Sequence, residues 1–363
     1  MGRSIYVCST KNFSGKTAIC AGIGRRLRLD GFSFAYMKPV SIKAQRREES
    51  KVDEDVDALK RLFDMEHPEE TLAPIRLTSE DVEALLPGGV QTTPYLDQVR
   101  QAVQQIVPTA EIVLMEGGAT LAEGSALALS PRQMAQALNS RVLLIVRYES
   151  GLQVVDDVLL AQSIFAEYLL GAILNAVPEH AIPFARDTLA PTIRHRGIPV
   201  YGILPQERLL QALSVGEIAR LLNGDILSAA ENCEALVENL MIGAMNVEAA
   251  LAYFRSMPNK AVITGGDRLD IQLAALETST RCLVLTGNLH PSSVILNRAN
   301  EVGVPVILVK HDTLSAVAVI KRFFGRTRFR PETKIETMER ILSHNIDFKR
   351  LYADLGLVGG RAP

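Results

Sequence analysis

Six short apolar runs punctuate the first 205 residues: IYVCS (5–9), FSFAYM (32–37), IVLM (112–115), VLLIV (142–146), GAILN (171–175) and PVYGILP (199–205). Runs of this length, separated by amphipathic stretches, fit strands buried on both faces of a parallel sheet, with helices crossing between them. After the first run, Ile19, Ile23 and Leu27 recur every four positions and the pattern stops at Leu-Asp-Gly, which predicts a helix with a glycine stop. The expectation is a doubly wound α/β domain over residues 1–209, whose ligands sit at the carboxyl ends of its strands.

Past Pro205 the rhythm restarts with new content: KAVIT, CLVLTGN and VPVILVK alternate with helical patterns such as NVEAALAYF and LSAVAVIKRFF. Four or five strands alternating with helices predict a second, smaller α/β domain at 210–325. Residues 326–363 read as a charged helical tail with a frayed VGGRAP end. The stretch 40–57, SIKAQRREESKVDEDVD after the first Val, is almost continuously polar. It reads as a solvated surface loop, or as a lid beside a strand's carboxyl end.

Charge argues against polyanionic partners, since 39 Lys and Arg stand against 41 Asp and Glu, a formal net charge of −2. A small molecule or a protein is the expected partner, with no nucleic acid and no membrane. Cys8, Cys20, Cys233 and Cys282 form no CxxC pair and have no histidine at metal-ligand spacing, so they read as reduced core thiols. The N-terminus runs straight into the first strand without a signal-type apolar core, and a cytoplasmic location is expected.

Between the first strand and its helix lies STKNFSGKT (9–17), which ends as a Walker A loop does. Gly15 lets backbone N–H groups close around phosphate oxygens, Lys16 reaches the β and γ phosphates, and Thr17 ligates Mg²⁺ at the positive end of a helix. Thr10 takes the place of the leading glycine of that pattern, and Thr10 and Ser14 complete the expected nucleotide loop. Glu116, Gly117 and Gly118 follow the IVLM strand, where a carboxylate that organises Mg²⁺ belongs. Lys38, before Pro39, ends the second strand and reads either as a group reaching into the same crevice or as a surface lysine before a proline turn. Asp53, Asp55 and Asp57 alternate through VDEDVD and read either as a solvated acidic run or as the source of a second Mg²⁺ ligand. Asn175 offers an amide to an adenine edge, or simply turns a strand end. No NKxD motif is present, so ATP is the expected nucleotide. In the second half, Gly265, Gly266 and Asp267 follow KAVIT, and Gly287 and Asn288 follow CLVLT. Both loops are candidates for holding a small ligand.

STKNFSGKT, YMKPV, MEGG and ILNAVP, in that order, resemble dethiobiotin synthetase and its relatives over residues 3–209. The resemblance implies that Lys16 and Thr17 bind nucleotide, Lys38 approaches substrate, Glu116 holds Mg²⁺, and Asp55 or Asp57 is the acid that follows the KPV strand. It also implies that Lys11 is a signature lysine of the kind that works across a dimer. Two departures stand out: Lys11 replaces the family's aspartate, and the family's EGAGG is shortened to Glu116-Gly117-Gly118-Ala119. The stretch AVITGGDRLDIQLAALETSTRCLVLTGN resembles a DRTGG domain, which implies ligand sensing or dimerisation. A P-loop NTPase domain with a doubly wound parallel sheet, followed by a smaller α/β DRTGG domain, is the pairing found in the N-terminal regulatory portion of long phosphate acetyltransferases. Acetyltransferase activity is not expected, because the chain stops at Pro363.

Three functions follow. The first is a regulatory ATP-binding protein, a slow ATPase at most because no water-positioning residue is evident, in which Lys16, Lys11 and Lys38 act on the phosphates or substrate. The second is an ATP-dependent carboxylase or ligase of the dethiobiotin synthetase type. The third is a nucleotide-free interaction module. A homo-oligomer and a metabolic enzyme partner are expected in the first case.

Overall fold

A computed structural model describes residues 3–42, 44–47, 50–85, 93–324 and 331–357. The frayed end expected at 358–363 lies outside them. The chain forms two compact units, residues 1–206 with 328–363, and residues 207–327.

The first unit is built on β1 (Arg3–Ser9), α1 (Lys16–Leu29), β2 (Phe34–Met37), α2 (Glu54–Leu62), α3 (Thr93–Ile106), β3 (Ile112–Glu116), α4 (Pro131–Leu138), β4 (Arg141–Arg147), α5 (Gly151–Phe165), β5 (Leu169–Val177) and β6 (Val200–Pro205). The strands form one sheet in the order β6-β5-β4-β1-β3-β2, with every neighbour parallel. This is the doubly wound sheet that the apolar runs predict. Residues such as Val7, Leu114, Leu144 and Ile173 are fully buried, because helices cover both faces. β1 lies between β3 and β4, with Val7 opposite Glu116 and Ser9 opposite Ile145, so the loop after β1 opens beside the ends of both neighbours.

The polar stretch 40–57 differs from the expected solvated loop. Val40–Ser41 pairs with Ile75–Arg76, and Gln45–Arg47 pairs with Ser50–Val52. Asp53 caps α2 by accepting the N–H groups of Asp55 and Val56. The few apolar residues decide the outcome: Val52, Val56 and Leu59 are buried and draw the surrounding charges into ordered structure.

The second unit contains α6 (Val215–Leu221), β7 (Asp225–Ser228), β8 (Asn239–Ile242), α7 (Val247–Ser256), β9 (Lys260–Gly265), α8 (Leu269–Leu276), β10 (Thr280–Thr286), α9 (Ser293–Val302), β11 (Val306–Leu308) and α10 (Thr313–Phe323). Its sheet runs β7-β11-β10-β9-β8, parallel except for the antiparallel edge strand β7. One face packs against α6 and α10 through Ile218, Val317 and Ile320, and the other against α7, α8 and α9 through Phe254, Ile271 and Ile295. Lys260 is wholly buried at the start of β9. Its ammonium donates to Thr278 Oγ1 and the Ser279 carbonyl and lies 5.8 Å from the centre of the Phe254 ring.

The C-terminal stretch, read from sequence as a tail, belongs to the first unit. α11 (Pro331–Asn345) lies against α1, and α12 (Phe348–Asp354) follows it. A Cβ on Gly22 would come 2.1 Å from Leu342 Cδ1, so the glycine in α1 is what lets the two helices approach. Tyr352 donates to Asp30, Tyr201 donates to Asp354, and the Asp347 N–H donates to the Tyr201 carbonyl.

Two stability measurements test this packing. Leu342→Ala should destabilise the first unit by about 2–4 kcal/mol in denaturant titrations, because Leu342 is almost completely buried. For Lys260, burial pulls the pKa down to about 8 from 10.5. Between those values the unfolded chain holds a proton that the folded chain has released, so stability rises with pH. Lys260→Met should therefore gain most over the wild type at neutral pH and lose that advantage by pH 10, read as unfolding midpoints of the second unit.

Candidate functional site

The turn from β1 into α1 is fixed by backbone geometry. Gly15 is left-handed, with φ 88°, and Phe13 is also at positive φ, 54°. Three side chains hold the loop's carbonyls: Ser9 Oγ donates to Lys11 O, Arg147 to Phe13 O, and Asn175 Nδ2 to Ser14 O at 2.8 Å. A Cβ on Gly15 would lie 2.6 Å from that Asn175 nitrogen. Glycine is therefore required twice at this position, for its φ and for the space.

The loop leaves its donors open. α1 has no side-chain cap and no acid in its first turn, so the first backbone N–H groups and the positive end of the helix dipole face outward. Ser14 is 1% exposed, and its Oγ has no hydrogen-bond partner. Lys16 is 7% exposed; its Nζ donates to Ser9 Oγ at 2.9 Å, and among the described residues no carboxylate lies within ion-pair range. Burial pulls the Lys16 pKa below the usual lysine value, against the opposing charge of Glu116. A buried ammonium, an orphaned hydroxyl and an uncapped helix start form the donor set that a phosphate chain satisfies.

Glu116, at the end of β3, is 3% exposed. Its Oε1 accepts from Thr17 Oγ1 at 2.7 Å and its Oε2 from Tyr36 OH at 2.8 Å. Burial pushes the carboxyl above the ordinary glutamate value, although Lys38 and Lys16 pull the other way. No group of three His, Cys, Asp or Glu side chains forms a metal cage among the described residues. A hydroxyl and a carboxylate side by side are instead the partial set that Mg²⁺ takes when phosphate oxygens supply the rest, so Thr17 and Glu116 fit that ion.

Lys38 sits between two acids, with its Nζ 2.8 Å from both Asp53 Oδ2 and Asp55 Oδ2. Burial opposes its charge, but the Asp55 and Asp53 carboxylates prevail and hold its pKa above the usual lysine value. Asp53 in turn is held below the ordinary aspartate value, against burial, by Lys38 and by hydrogen bonds from Ser41 and the Val56 N–H. Of the two acids expected near Mg²⁺, Asp55 joins Lys38, and Asp57 pairs with Arg61 at 2.5 Å. Two residues apart on one helix, they point to opposite sides.

Several sequence-predicted residues have particular surroundings. Lys11 pairs with Glu149 at 2.5 Å and lies 4.0 Å from Asp157, within its own chain. Asp157 is buried, and its Oδ2 has no hydrogen-bond partner. Thr10 lies in the bend after β1 and is partly buried. Gly117 donates its N–H to Val7 O, tying the end of β3 to β1, and Gly118 is covered by the Glu123 carboxylate. In the second unit, Gly266 accommodates a neighbouring loop: a Cβ there would fall 1.9 Å from the Leu289 carbonyl oxygen. Gly265 lies under the Asp267 side chain, while Gly287 and Asn288 are exposed with φ 79° and 56°. Gln272, fully buried on α8, donates to the carbonyls of Gly265 and Gly266.

Sequence reasoning passed over Ser9, Tyr36, Arg147, Asp157 and Glu123. A signal exists for Tyr36, which stands two residues before Lys38 on an extended chain and so shares its side. None exists for Arg147 or Glu123, whose places depend on how separate strand ends meet.

Comparisons with known proteins bear on the domains of the chain. Residues 3–214 match the model described as an AAA domain and residues 217–323 that of the DRTGG domain. The chain is similar to the phosphate acetyltransferase of Nitratidesulfovibrio vulgaris, 22% identical over 371 residues, covering 97% of this chain and 51% of that protein. It is similar to the Synechocystis phosphate acetyltransferase at 25% identity, over 82% of this chain and 43% of that protein. The chain thus spans about half the length of these relatives. The ATP-dependent dethiobiotin synthetase of Xanthomonas oryzae pv. oryzae is 28% identical over 148 residues, 41% of this chain and 66% of that protein. Among solved structures, the CBS and DRTGG domains of the regulatory region of Clostridium perfringens pyrophosphatase align at 22% identity and a TM-score of 0.28, over 33% of this chain and 49% of that one. In the described residues no helix is long and apolar enough to cross a membrane. With the AAA-domain match extending from residue 3 to residue 214, more than half its length, the chain belongs to that AAA-domain family and carries a DRTGG domain behind it, the pairing of the regulatory half of phosphate-acetyltransferase-like proteins.

Proposed function

We propose that the first unit binds ATP with Mg²⁺ and that the protein uses this binding for regulation, with the DRTGG unit as the second ligand-sensing or dimerising module. The observation that carries the reading is the unsatisfied donor set around Lys16: a buried ammonium without a carboxylate, the orphaned Ser14 hydroxyl and the uncapped start of α1. The surrounding charges explain why a divalent cation accompanies the nucleotide. When ionised, Glu116, Asp53, Asp55 and Glu123 outnumber the ammonium groups of Lys16 and Lys38; Glu116 and Glu123 act on Lys16, Asp55 on Glu116, and Asp53 on Lys38. Such a site repels a bare phosphate chain and admits one that arrives with Mg²⁺.

In this reading Thr10, Ser14, Gly15, Lys16 and Thr17 hold phosphates, and Thr17 and Glu116 hold Mg²⁺, with Asp55 the nearer second acid. Asn175 acts first on the loop itself, through the Ser14 carbonyl. In the second unit the exposed Asp267, Gly287 and Asn288 offer contacts to a ligand, with Gly265 and Gly266 shaping the loop beneath. A homodimer that uses Lys11 across its interface, and a metabolic enzyme as regulated partner, extend the proposal. The Lys38–Asp53–Asp55 cluster next to Glu116 favours one second reading, a ligase whose carboxylate or carbamate substrate replaces an aspartate on Lys38. Substrate-stimulated ADP release distinguishes it from a regulator.

Calorimetric titration with ATP, ADP and GTP, with and without Mg²⁺, tests the assignment. Lys16→Ala should weaken Mg²⁺-dependent ATP binding by about 10- to 100-fold, the scale of a lost charge-assisted hydrogen bond. Binding that persists unchanged in this variant removes the site from Lys16. Glu149→Gln should tighten ATP binding by about two- to fivefold, because it frees Lys11 from a half-exposed ion pair of modest strength. Weaker binding in that variant shows instead that Glu149 orders the loop.

A further inference from the structure

Glu116 is engaged by Thr17 and Tyr36, but a second carboxylate, Glu123, lies over Gly118 just past the end of β3 with no such engagement. After β3 the chain passes through Gly117 and Gly118 and turns back on itself. The Glu123 N–H donates to Thr120 O, and Gly124, at φ 84°, closes the turn by accepting from the N–H groups of Leu127 and Leu129. A Cβ on Gly124 would fall 2.6 Å from the Leu129 carbonyl oxygen, so the turn's path is fixed by backbone packing. It returns the Glu123 side chain over Gly118, with Oε1 2.3 Å and Cγ 3.0 Å from where a Gly118 Cβ would stand. Gly118 is thus the opening through which a carboxylate reaches the carboxyl ends of β1 and β3.

Glu123 is half-buried, and its carboxylate makes no hydrogen bond or ion pair among the described residues. Its charge nevertheless acts on the Lys16 ammonium and on Tyr6. Two carboxylates therefore act on the lysine: Glu116, locked between two hydroxyls, and Glu123, held over Gly118 by a turn and unpartnered among the described residues.

We propose that Glu123 faces the terminal phosphate of the bound nucleotide, orients the attacking water and accepts its proton. This rests on the nucleotide reading above. In the step, the water oxygen bonds to the terminal phosphorus while the bond from that phosphorus to the bridging oxygen breaks. The diphosphate leaves with the bonding electron pair, and the proton lost by water passes to a Glu123 oxygen and then to the released phosphate. A carboxylate in this place also repels the terminal phosphate of ATP and leaves ADP untouched.

The test uses the full-length chain and Glu123→Gln, which keeps the shape and removes the charge and basicity. With Mg²⁺, the variant should bind ADP within about twofold of the wild type and ATP about three- to tenfold more tightly. Its single-turnover cleavage of bound ATP should fall at least about 30-fold, on the low side of the loss of a general base. Unchanged ADP binding shows that the site still folds, and Glu123→Ala should repeat the pattern. The proposal is overturned if ATP and ADP affinities move together, if cleavage is unaffected, or if the wild type holds ATP without cleaving it. A wild type that binds no nucleotide at all overturns the parent reading; normal binding with any of those three outcomes overturns the role of Glu123 alone.

Discussion

The first unit depends on a buried ammonium that the described residues leave without an ion-pair partner. Lys16 sits at the first position of α1, where the helix dipole is already positive, and among the described residues only the Ser9 hydroxyl accepts from it. Both circumstances disfavour a cation, and burial accordingly lowers its pKa. The surrounding fold tolerates this because the acids nearby compensate at a distance: Glu116 across the β1–β3 register and Glu123 above Gly118.

That tension organises the neighbouring elements. Glu116 bonds a helix hydroxyl and a strand phenol, so α1, β2 and β3 meet at one carboxylate. Asn175 and Arg147 reach from the ends of β5 and β4 to the loop's carbonyls, and Lys38 draws the start of α2 toward the end of β2. The parallel sheet brings these groups together because every strand ends on the same side. α11 braces α1 from behind through Gly22 and Leu342.

Much of this was legible in the sequence, for physical reasons that also mark where reading stops. Strands buried on both faces must be apolar throughout, so IVLM and VLLIV announced themselves, and a glycine forced to positive φ before Lys-Thr marked the loop. The polar stretch 40–57 is ordered because a few buried apolar residues, Val40, Ala44, Val52 and Val56, and one N-cap outweigh many charges, and composition averages hide them. The placing of α11 against α1 was invisible, since a helix's apolar stripe does not say which partner it meets. Asn175 was noticed at its strand end as an adenine contact or a turn residue, and its amide donates to the Ser14 carbonyl, a partner that no sequence pattern announces. Glu123 escaped because it reaches the crevice by a turn that only the packing of Gly118 and Gly124 reveals.

Glycine makes room for a neighbour in both units, and what surrounds it differs. At Gly15 the missing side chain admits the Asn175 amide, and beside it stand the uncapped start of α1 and the unpartnered Ser14 hydroxyl. At Gly266 the missing side chain is filled by the Leu289 carbonyl, and Gln272 satisfies the carbonyls of Gly265 and Gly266 from below. The two glycine-rich loops look alike in sequence, yet one is an open set of donors and the other a closed junction between strand ends. Asp267, Gly287 and Asn288 remain exposed around that junction. Backbone N–H groups at an uncapped helix start suit an anion, and in the first unit the start of α1 carries no side-chain cap.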